Sequence, residues 1–285
     1  MKFLILGAGG MAGHTISLYL KEQGYDVTGF ARKNLNYVDT IVGDATNFEY
    51  LRGIIVSGRY DFIINAVGLL NQFAEDNKSK AVLLNGYLPH YLADITKNMN
   101  TRIIHMSTDC VFSGKKGNYT EKSIRDGETF YDRSKAIGEL EDSKNITLRN
   151  SIVGPDINPN GIGLFNWFMK QEGTINGYTC AMWTGMTTLQ LAKIMEKVAL
   201  DGAIGLYNMV PDTNISKYSL LKLFNHYVRN DEVDIQPFDG YSADKTLIRT
   251  NYEFTEKVPD YDIMVSEMAQ WIREHNELYP HYNLK

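Results

Sequence analysis

Lys2-Phe3-Leu4-Ile5-Leu6-Gly7-Ala8-Gly9-Gly10-Met11-Ala12-Gly13 is the stretch that decides the fold. The apolar run Phe3 to Leu6 is too short for a membrane span and has the length and composition of a buried strand. Glycines at 7, 9, 10 and 13 follow it directly. The amphipathic stretch His14 to Gln23 comes next and ends at Gly24. Strand, glycine turn and helix in this order form a phosphate cradle. Glycine lets the backbone approach a pyrophosphate closely, and the helix N-terminus offers free N–H groups and a favourable dipole. A glycine pattern alone is a weak signal; its place between a strand and a helix makes it a specific one. Gly7, Gly9, Gly10, Met11 and Gly13 are therefore expected to contact a dinucleotide, against the competing reading of a glycine turn that binds nothing.

Working outward, apolar runs alternate with amphipathic stretches. Strands are predicted at Asp26–Phe30, Thr40–Val42, Asp61–Asn65, Arg102–Ser107 and Ile146–Arg149. Helices are predicted at Phe48–Ser57, Ser79–Asn98 and Tyr131–Asp142. This is the pattern of an α/β protein of the Rossmann type, a doubly wound parallel sheet with helices on both faces. After Arg149 the character changes. Ser151 to Gly163 is rich in Gly, Pro and Asn and reads as loop. Helices are expected at Thr188–Leu200, Ser216–Arg229 and Ile263–Glu274, with one more strand at Leu206–Met209. Residues 1–150 are thus assigned to a nucleotide-binding domain completed by about 184–210. Residues 151–183 and 211–285 are assigned to a smaller C-terminal substrate lobe.

The composition is that of an ordinary globular chain: 285 residues, 44% hydrophobic and 22% charged, with a formal net charge of -5. A mild acidic excess gives no footing for nucleic acid or a membrane surface. The N-terminus lacks the features of a secretory signal. Cys110 and Cys180, the two cysteines, have neither metal nor disulfide spacing, and a reducing cytoplasm is the expected compartment. The histidines show no ligand spacing, and no metal site is predicted. His14 reads as a helix-start residue.

The residue that closes the second strand of such a fold usually selects the nicotinamide cofactor. An acid there binds a ribose 2′-hydroxyl and repels a 2′-phosphate. Here the strand is followed by Ala31-Arg32-Lys33, two cations and no acid. Arg32 and Lys33 predict NADPH, with NADH weaker. Asp44 follows the third strand, either to bind the adenine amino group or as a turn aspartate. Ala66 and Gly68 end the fourth strand and leave room for a cofactor.

Tyr131 and Lys135 are spaced i, i+4 on one helix face. A neighbouring ammonium is expected to lower the phenol pKa from about 10 toward the working range, and the same lysine can hold ribose hydroxyls. Tyr218/Lys222 and Tyr241/Lys245 share the spacing. Only the pair at 131 and 135 starts a helix just beyond a strand's carboxyl end, where such sheets bind ligands. Thr108, at the end of the fifth strand, is placed to donate to a substrate carbonyl oxygen.

The glycine spacing resembles that of extended short-chain dehydrogenases. Ser107-Thr108-Asp109-Cys110-Val111-Phe112-Ser113-Gly114 resembles the S-T-D-Y-V-F-D-G segment of dTDP-4-dehydrorhamnose reductases. Tyr131-Asp132-Arg133-Ser134-Lys135 is similar to their Y-G-x-[ST]-K, and Leu148-Arg149-Asn150-Ser151 to their L-R-[TS]-S. Gly185-Met186-Thr187-Thr188-Leu189-Gln190-Leu191-Ala192 looks like their G-x-P-T…L-A. The resemblance runs in order from residue 3 to 192. It implies Thr108, Tyr131 and Lys135 as catalytic triad, a nucleotide-sugar substrate, and hydride transfer to C4 of a 4-keto-6-deoxy sugar in deoxysugar biosynthesis. It also implies that Asp109, Cys110 and Ile152 lie near the sugar, with Lys245 and Arg249 near the diphosphate and Trp183 lining the site. Surface charge and core packing compete for those last three. Cys110 and Ile152 stand where the family carries tyrosine and tryptophan. The space freed favours an N-acetyl group at C2, hence a UDP-4-keto-6-deoxy-N-acetylhexosamine. The alternatives are the dTDP-4-keto sugar itself, an epimerase or dehydratase that recycles its nicotinamide, and a non-catalytic NADP sensor. The wider superfamily pairs through helices, but no residue here establishes a homodimer.

Overall fold

The strand-forming runs are short and apolar, and they bury one another edge to edge. The computed structural model describes residues 1–284. The chain runs β1 (Lys2–Leu6), α1 (Met11–Glu22), β2 (Asp26–Ala31), β3 (Asp39–Val42), α2 (Phe48–Gly58) and β4 (Phe62–Asn65). Short helices α3 (Asn71–Asp76) and α4 (Lys78–Ala81) follow. A π-helical turn (Val82–Tyr87) then leads into α5 (Leu88–Thr96), β5 (Arg102–Ser107), α6 (Phe130–Ile137) and β6 (Ile146–Arg149). Next come β7 (Ser151–Val153), α7 (Leu164–Phe168), β8 (Thr174–Trp183), β9 (Gly185–Thr187), α8 (Thr188–Asp201) and β10 (Gly205–Asn208). The last elements are β11 (Ile215–Ser216), α9 (Lys217–Arg229), β12 (Asp234–Asp244) and α10 (Tyr261–Glu274). No helix is long and apolar enough to cross a membrane among the described residues.

Seven strands form one parallel sheet in the order β10-β6-β5-β4-β1-β2-β3. Alternation along β1 explains why both faces are covered. Phe3 and Ile5 point into one apolar cluster with Ile16, Phe165, Met195 and Met268, while Leu4 and Leu6 point into another with Ile63, Leu88 and Ile103. The strand order reverses between β1 and β4, which opens a crevice at their carboxyl ends. A second sheet, β11-β8-β12, stands beside the first. Its β8 runs antiparallel to β11 and parallel to β12, with a register shift between Phe238 and Ser242.

Three expectations from sequence need correction. The stretch Ser151–Gly163 is not all loop, because β7 pairs in parallel with β9, Ser151 opposite Gly185. The helix expected over 79–98 is helical from Lys78 to Thr96 but contains the π-turn. The helix expected to reach Asp142 stops at Ile137. Gly138 lies so close to the π-turn that a Cβ would sit 1.9 Å from the Asn85 carbonyl oxygen, and the chain leaves the helix there. The three-stranded sheet has no counterpart in the sequence reading.

The glycine turn is compressed onto itself. Gly7 has φ +83°, and a Cβ on Gly13 would stand 2.1 Å from the Gly7 carbonyl oxygen. His14, fully buried, ties this turn to the far end of the chain. Its Nδ1–H donates to the Gly10 carbonyl oxygen at 3.0 Å, and its Nε2 accepts the Tyr279 hydroxyl at 2.8 Å. Both bonds suit the neutral ring, and burial lowers its pKa from 6.5 to about 4. The unfolded chain therefore takes up this proton first as pH falls. Stability is lost between about pH 6.5 and 4, by roughly 3 kcal/mol from this group. His14→Gln is expected to lower the melting temperature at pH 7.5 but to flatten its further fall down to pH 4.5. Thermal denaturation of both proteins across that range checks this; equal slopes would remove His14 as the acid-sensitive group.

Candidate active site

The carboxyl ends of β1, β4, β5 and β6 converge on one crevice, and the expected residues can be placed against it. The glycine turn sits at the end of β1. A Cβ on Gly7 would meet the Ala66 carbonyl oxygen at 3.0 Å, so glycine is what lets the ends of β1 and β4 approach this closely. The N-cap of α1 is Gly10, which brings no side-chain cap, and the first turn holds no acid. This leaves the helix end suited to a pyrophosphate. Arg32 and Lys33 are exposed immediately after β2. Asp44 is held in a turn, its Oδ1 accepting from Thr46 N at 2.9 Å and Thr46 Oγ1 at 2.8 Å. These bonds, with Lys80 and Arg32 nearby, hold its carboxyl below the usual range. Lys80, on α4, was not anticipated. The residues present at this rim fit a phosphorylated dinucleotide.

Thr108, Asp109, Tyr131 and Lys135 are all buried. A capping box starts α6, in which the Thr129 side chain accepts from Asp132 N and the Asp132 side chain accepts from Thr129 N. That box fixes the helix phase, so Tyr131 and Lys135 face the crevice floor. Lys135 Nζ donates to the Met106 carbonyl oxygen at 2.6 Å, and burial lowers its pKa to about 8. The expectation that Lys135 depresses the Tyr131 phenol is not met here. Burial drives that phenol far above its ordinary value, Cys110 adds to the shift, and a hydrogen bond with Thr108 opposes it. The phenol is thus held in its protonated form.

Thr108 Oγ1 donates to Asp109 Oδ1 at 3.1 Å and accepts from Cys110 N at 3.1 Å. Burial pushes the Asp109 carboxyl up, opposed by Lys217 and Lys245. Burial also pushes the Cys110 thiol up to about 12, which makes it a small neutral wall and no nucleophile. Lys245 arrives from the end of β12, with Nζ 4.0 Å from Asp132 Oδ2. Trp183, at the end of β8, is buried and has Nε1 without a partner. Ile152 lies half-buried on β7. Among the described residues, no group of three or more His, Cys, Asp or Glu is placed to hold a metal.

Arg249 departs from expectation. Its Nε donates to Asn251 O at 2.9 Å, its Nη1 to Glu256 O at 2.5 Å and its Nη2 to Phe254 O. The guanidinium, packed against Tyr207, Tyr252 and Phe254, ties down its own loop and is not presented to the crevice.

Behind the crevice lies a buried ion pair that sequence reasoning passed over. Glu139 accepts from Arg149 Nε at 2.8 Å and Nη2 at 2.7 Å, from Ser107 Oγ at 2.5 Å, and from Arg125 Nε. Both side chains of the Glu139–Arg149 pair are fully buried. Burial pushes the Glu139 carboxyl up, but Arg149, Ser107 and Arg125 outweigh it and the net shift is downward. The available signal was Glu139 four residues beyond Lys135. Asn85, in the π-turn, was also missed. Its side chain bridges Leu69 N and O to Ser134 Oγ.

The model of the RmlD substrate binding domain family matches residues 1–253. The chain is 32% identical over 140 residues to the spore coat polysaccharide biosynthesis protein SpsK of Bacillus subtilis, 48% of this chain and 47% of that one. It is 28% identical over 253 residues to a dTDP-4-dehydrorhamnose reductase of Aggregatibacter actinomycetemcomitans, 83% of this chain and 82% of that one. The chain thus spans about half the length of the first relative and most of the second. A dTDP-4-dehydrorhamnose reductase from Bacillus anthracis, solved in complex with NADP, shares the fold with a TM-score of 0.79 at 20% identity, covering 94% of this chain and 98% of that one.

Glu139→Gln would leave the Arg149 guanidinium buried without its counter-charge, at an expected cost of about 3–5 kcal/mol. The double variant Glu139→Gln/Arg149→Met is expected to recover part of that loss. Chemical denaturation of the three proteins checks it; an additive double variant would mean that the two side chains are not coupled.

Proposed function

Because this chain belongs to the RmlD substrate binding domain family, we propose that it is an NADPH-dependent reductase of a nucleotide-linked 4-keto-6-deoxy sugar. The observation that supports the reading is the burial of Thr108, Tyr131 and Lys135 around the end of β5, with Tyr131 hydrogen-bonded to Thr108 and Lys135 Nζ donating to the Met106 carbonyl oxygen. The names of the two relatives support it, one a keto-sugar reductase and the other a protein of polysaccharide biosynthesis.

Bound NADPH would supply the hydride. Gly7, Gly9, Gly10, Met11 and Gly13 would hold its pyrophosphate, Arg32 and Lys33 its 2′-phosphate, and Asp44 its adenine. Ala66 and Gly68 would leave room beside it. Lys135 would hold ribose hydroxyls with the protons not given to Met106 O. Thr108 Oγ1 binds the oxygen of the reacting carbonyl. As the carbonyl carbon gains the hydride, Tyr131 passes its phenolic proton to that oxygen. The phenol is protonated before the carbonyl arrives, and the alkoxide that forms is more basic than a phenolate, so the proton moves toward it. Lys245, expected near the diphosphate, has Nζ 4.0 Å from Asp132 Oδ2, and its charge is compensated within the protein.

The sugar we favour is a UDP-linked 4-keto-6-deoxy-N-acetylhexosamine. Two side chains that would fill the sugar pocket as aromatics are here Cys110 and Ile152, both half-buried. A dTDP-linked substrate with hydroxyl at C2 is the competitor.

Purified protein is expected to oxidise NADPH, and NADH more slowly, with the UDP-acetamido sugar in preference to the dTDP sugar. The loss of reduced-nicotinamide absorbance measures this. Tyr131→Phe should abolish turnover and leave NADPH binding intact. Turnover of the dTDP sugar alone would overturn the choice of substrate; turnover retained by Tyr131→Phe would overturn the acid.

A further inference from the structure

Lys217 has no part in the chemistry above, yet its surroundings are those of a binding residue. It is the first residue of α9, whose N-terminus is set by Ser216 Oγ accepting from Ser219 N at 3.1 Å. From there the half-buried side chain reaches the crevice, with Nζ 4.7 Å from the centre of the Trp183 ring. Burial lowers its pKa to about 8, opposed by the nearby Asp109 carboxylate. The other cations of the site have acceptors. Lys135 has the Met106 carbonyl, Arg149 has Glu139, and Lys245 has Asp132. Among the described residues Lys217 Nζ has no hydrogen-bond acceptor and no ion-pair partner. Trp183 Nε1 is buried without one. A buried donor left without an acceptor is costly, and the half-buried Lys217 Nζ can donate to a ligand without breaking a bond inside the protein.

The local charge narrows the class of ligand. Lys217 and Lys245 face Asp109 and Asp132, two positive groups against two negative. A compensated set of this kind is a poor receptor for a diphosphate, which calls for net positive charge. It suits a neutral group with an acceptor at one end and a donor at the other. We propose that Lys217 and Asp109 together read an acylamino substituent on the sugar ring. The Lys217 ammonium donates to the amide carbonyl oxygen, the Asp109 carboxylate accepts the amide N–H, and the Trp183 face covers the acyl methyl. Asp109 now takes the hydroxyl proton of Thr108. An amide N–H from the ligand replaces that proton and frees Thr108 to donate to the reacting carbonyl. The pair thus couples recognition of the substituent to assembly of the site. This inference rests on the substrate reading above.

The test compares two UDP-linked 4-keto-6-deoxy sugars that differ only at C2, one acetamido and one hydroxyl. Wild type is expected to favour the acetamido sugar. Lys217→Met should lower kcat/KM for the acetamido sugar about tenfold more than for the hydroxyl sugar. Lys217→Gln, which keeps a donor, should fall between. An NADPH dissociation constant unchanged in both variants reports an intact fold. Equal losses on the two sugars, or no loss on either, would overturn the inference while leaving the substrate reading in place. Failure of wild type to turn over the acetamido sugar would overturn that reading and this inference together, and is visible before any variant is made.

Discussion

The carboxylate of Glu139 is the point on which the site hangs. It lies just past the end of α6 and gathers Ser107 at the end of β5, Arg149 at the end of β6, and Arg125 from the loop between β5 and α6. Arg149 passes the connection on to Asn208 on β10 at 3.1 Å, and Asn208 Nδ2 in turn donates to the carbonyls of Tyr119 and Ile248. One buried ion pair therefore fixes the ends of three neighbouring strands and the two segments that lie over them. Thr108 and Lys135 owe their separation to it. Thr108 is the residue after Ser107, and Lys135 stands one helical turn before Glu139. A polar cluster this deep adds little stability by comparison with apolar packing. Its contribution is to hold Thr108 and Lys135 in one arrangement.

The same economy of position runs through the crevice. Burial acts on Tyr131, Lys135, Asp109 and Cys110 alike, and in each case it disfavours charge. Tyrosine is kept as phenol, cysteine as thiol, and lysine is drawn toward neutrality. Partial charges that develop during a reaction are felt strongly in such a setting. Burial raises the Asp109 carboxyl, and Lys217 and Lys245 oppose that rise. Both lysines lie more than a hundred residues further along the chain, so the electrostatics of the crevice draw on distant segments.

Much of this was legible in the sequence. The run Phe3 to Leu6 with its glycines, the strand-helix alternation that follows, and the helix carrying Tyr131 and Lys135 all depend on local pattern, and local pattern is what periodicity reports. What could not be read depends on contacts between distant residues. The early stop of α6 is set by how closely Gly138 meets Asn85, more than fifty residues away. The sheet of β8, β11 and β12 is assembled from three separated segments, and β8, Thr-Ile-Asn-Gly-Tyr-Thr-Cys-Ala-Met-Trp, has no clean alternation. Arg249 could be seen as a cation near the crevice, but not as one enclosed by the carbonyls of its own loop. Lys217 opens an amphipathic helix and looks there like any exposed first-turn residue. Only the fold brings Trp183 and Asp109 to it.

The bond between His14 and Tyr279 joins residues 265 positions apart. A chain cut short before Tyr279 would keep every glycine of the turn and still leave the buried His14 imidazole without its hydroxyl donor. Damage at residue 279 is thus felt at residue 10, and the soundness of the glycine turn cannot be judged from the glycines alone.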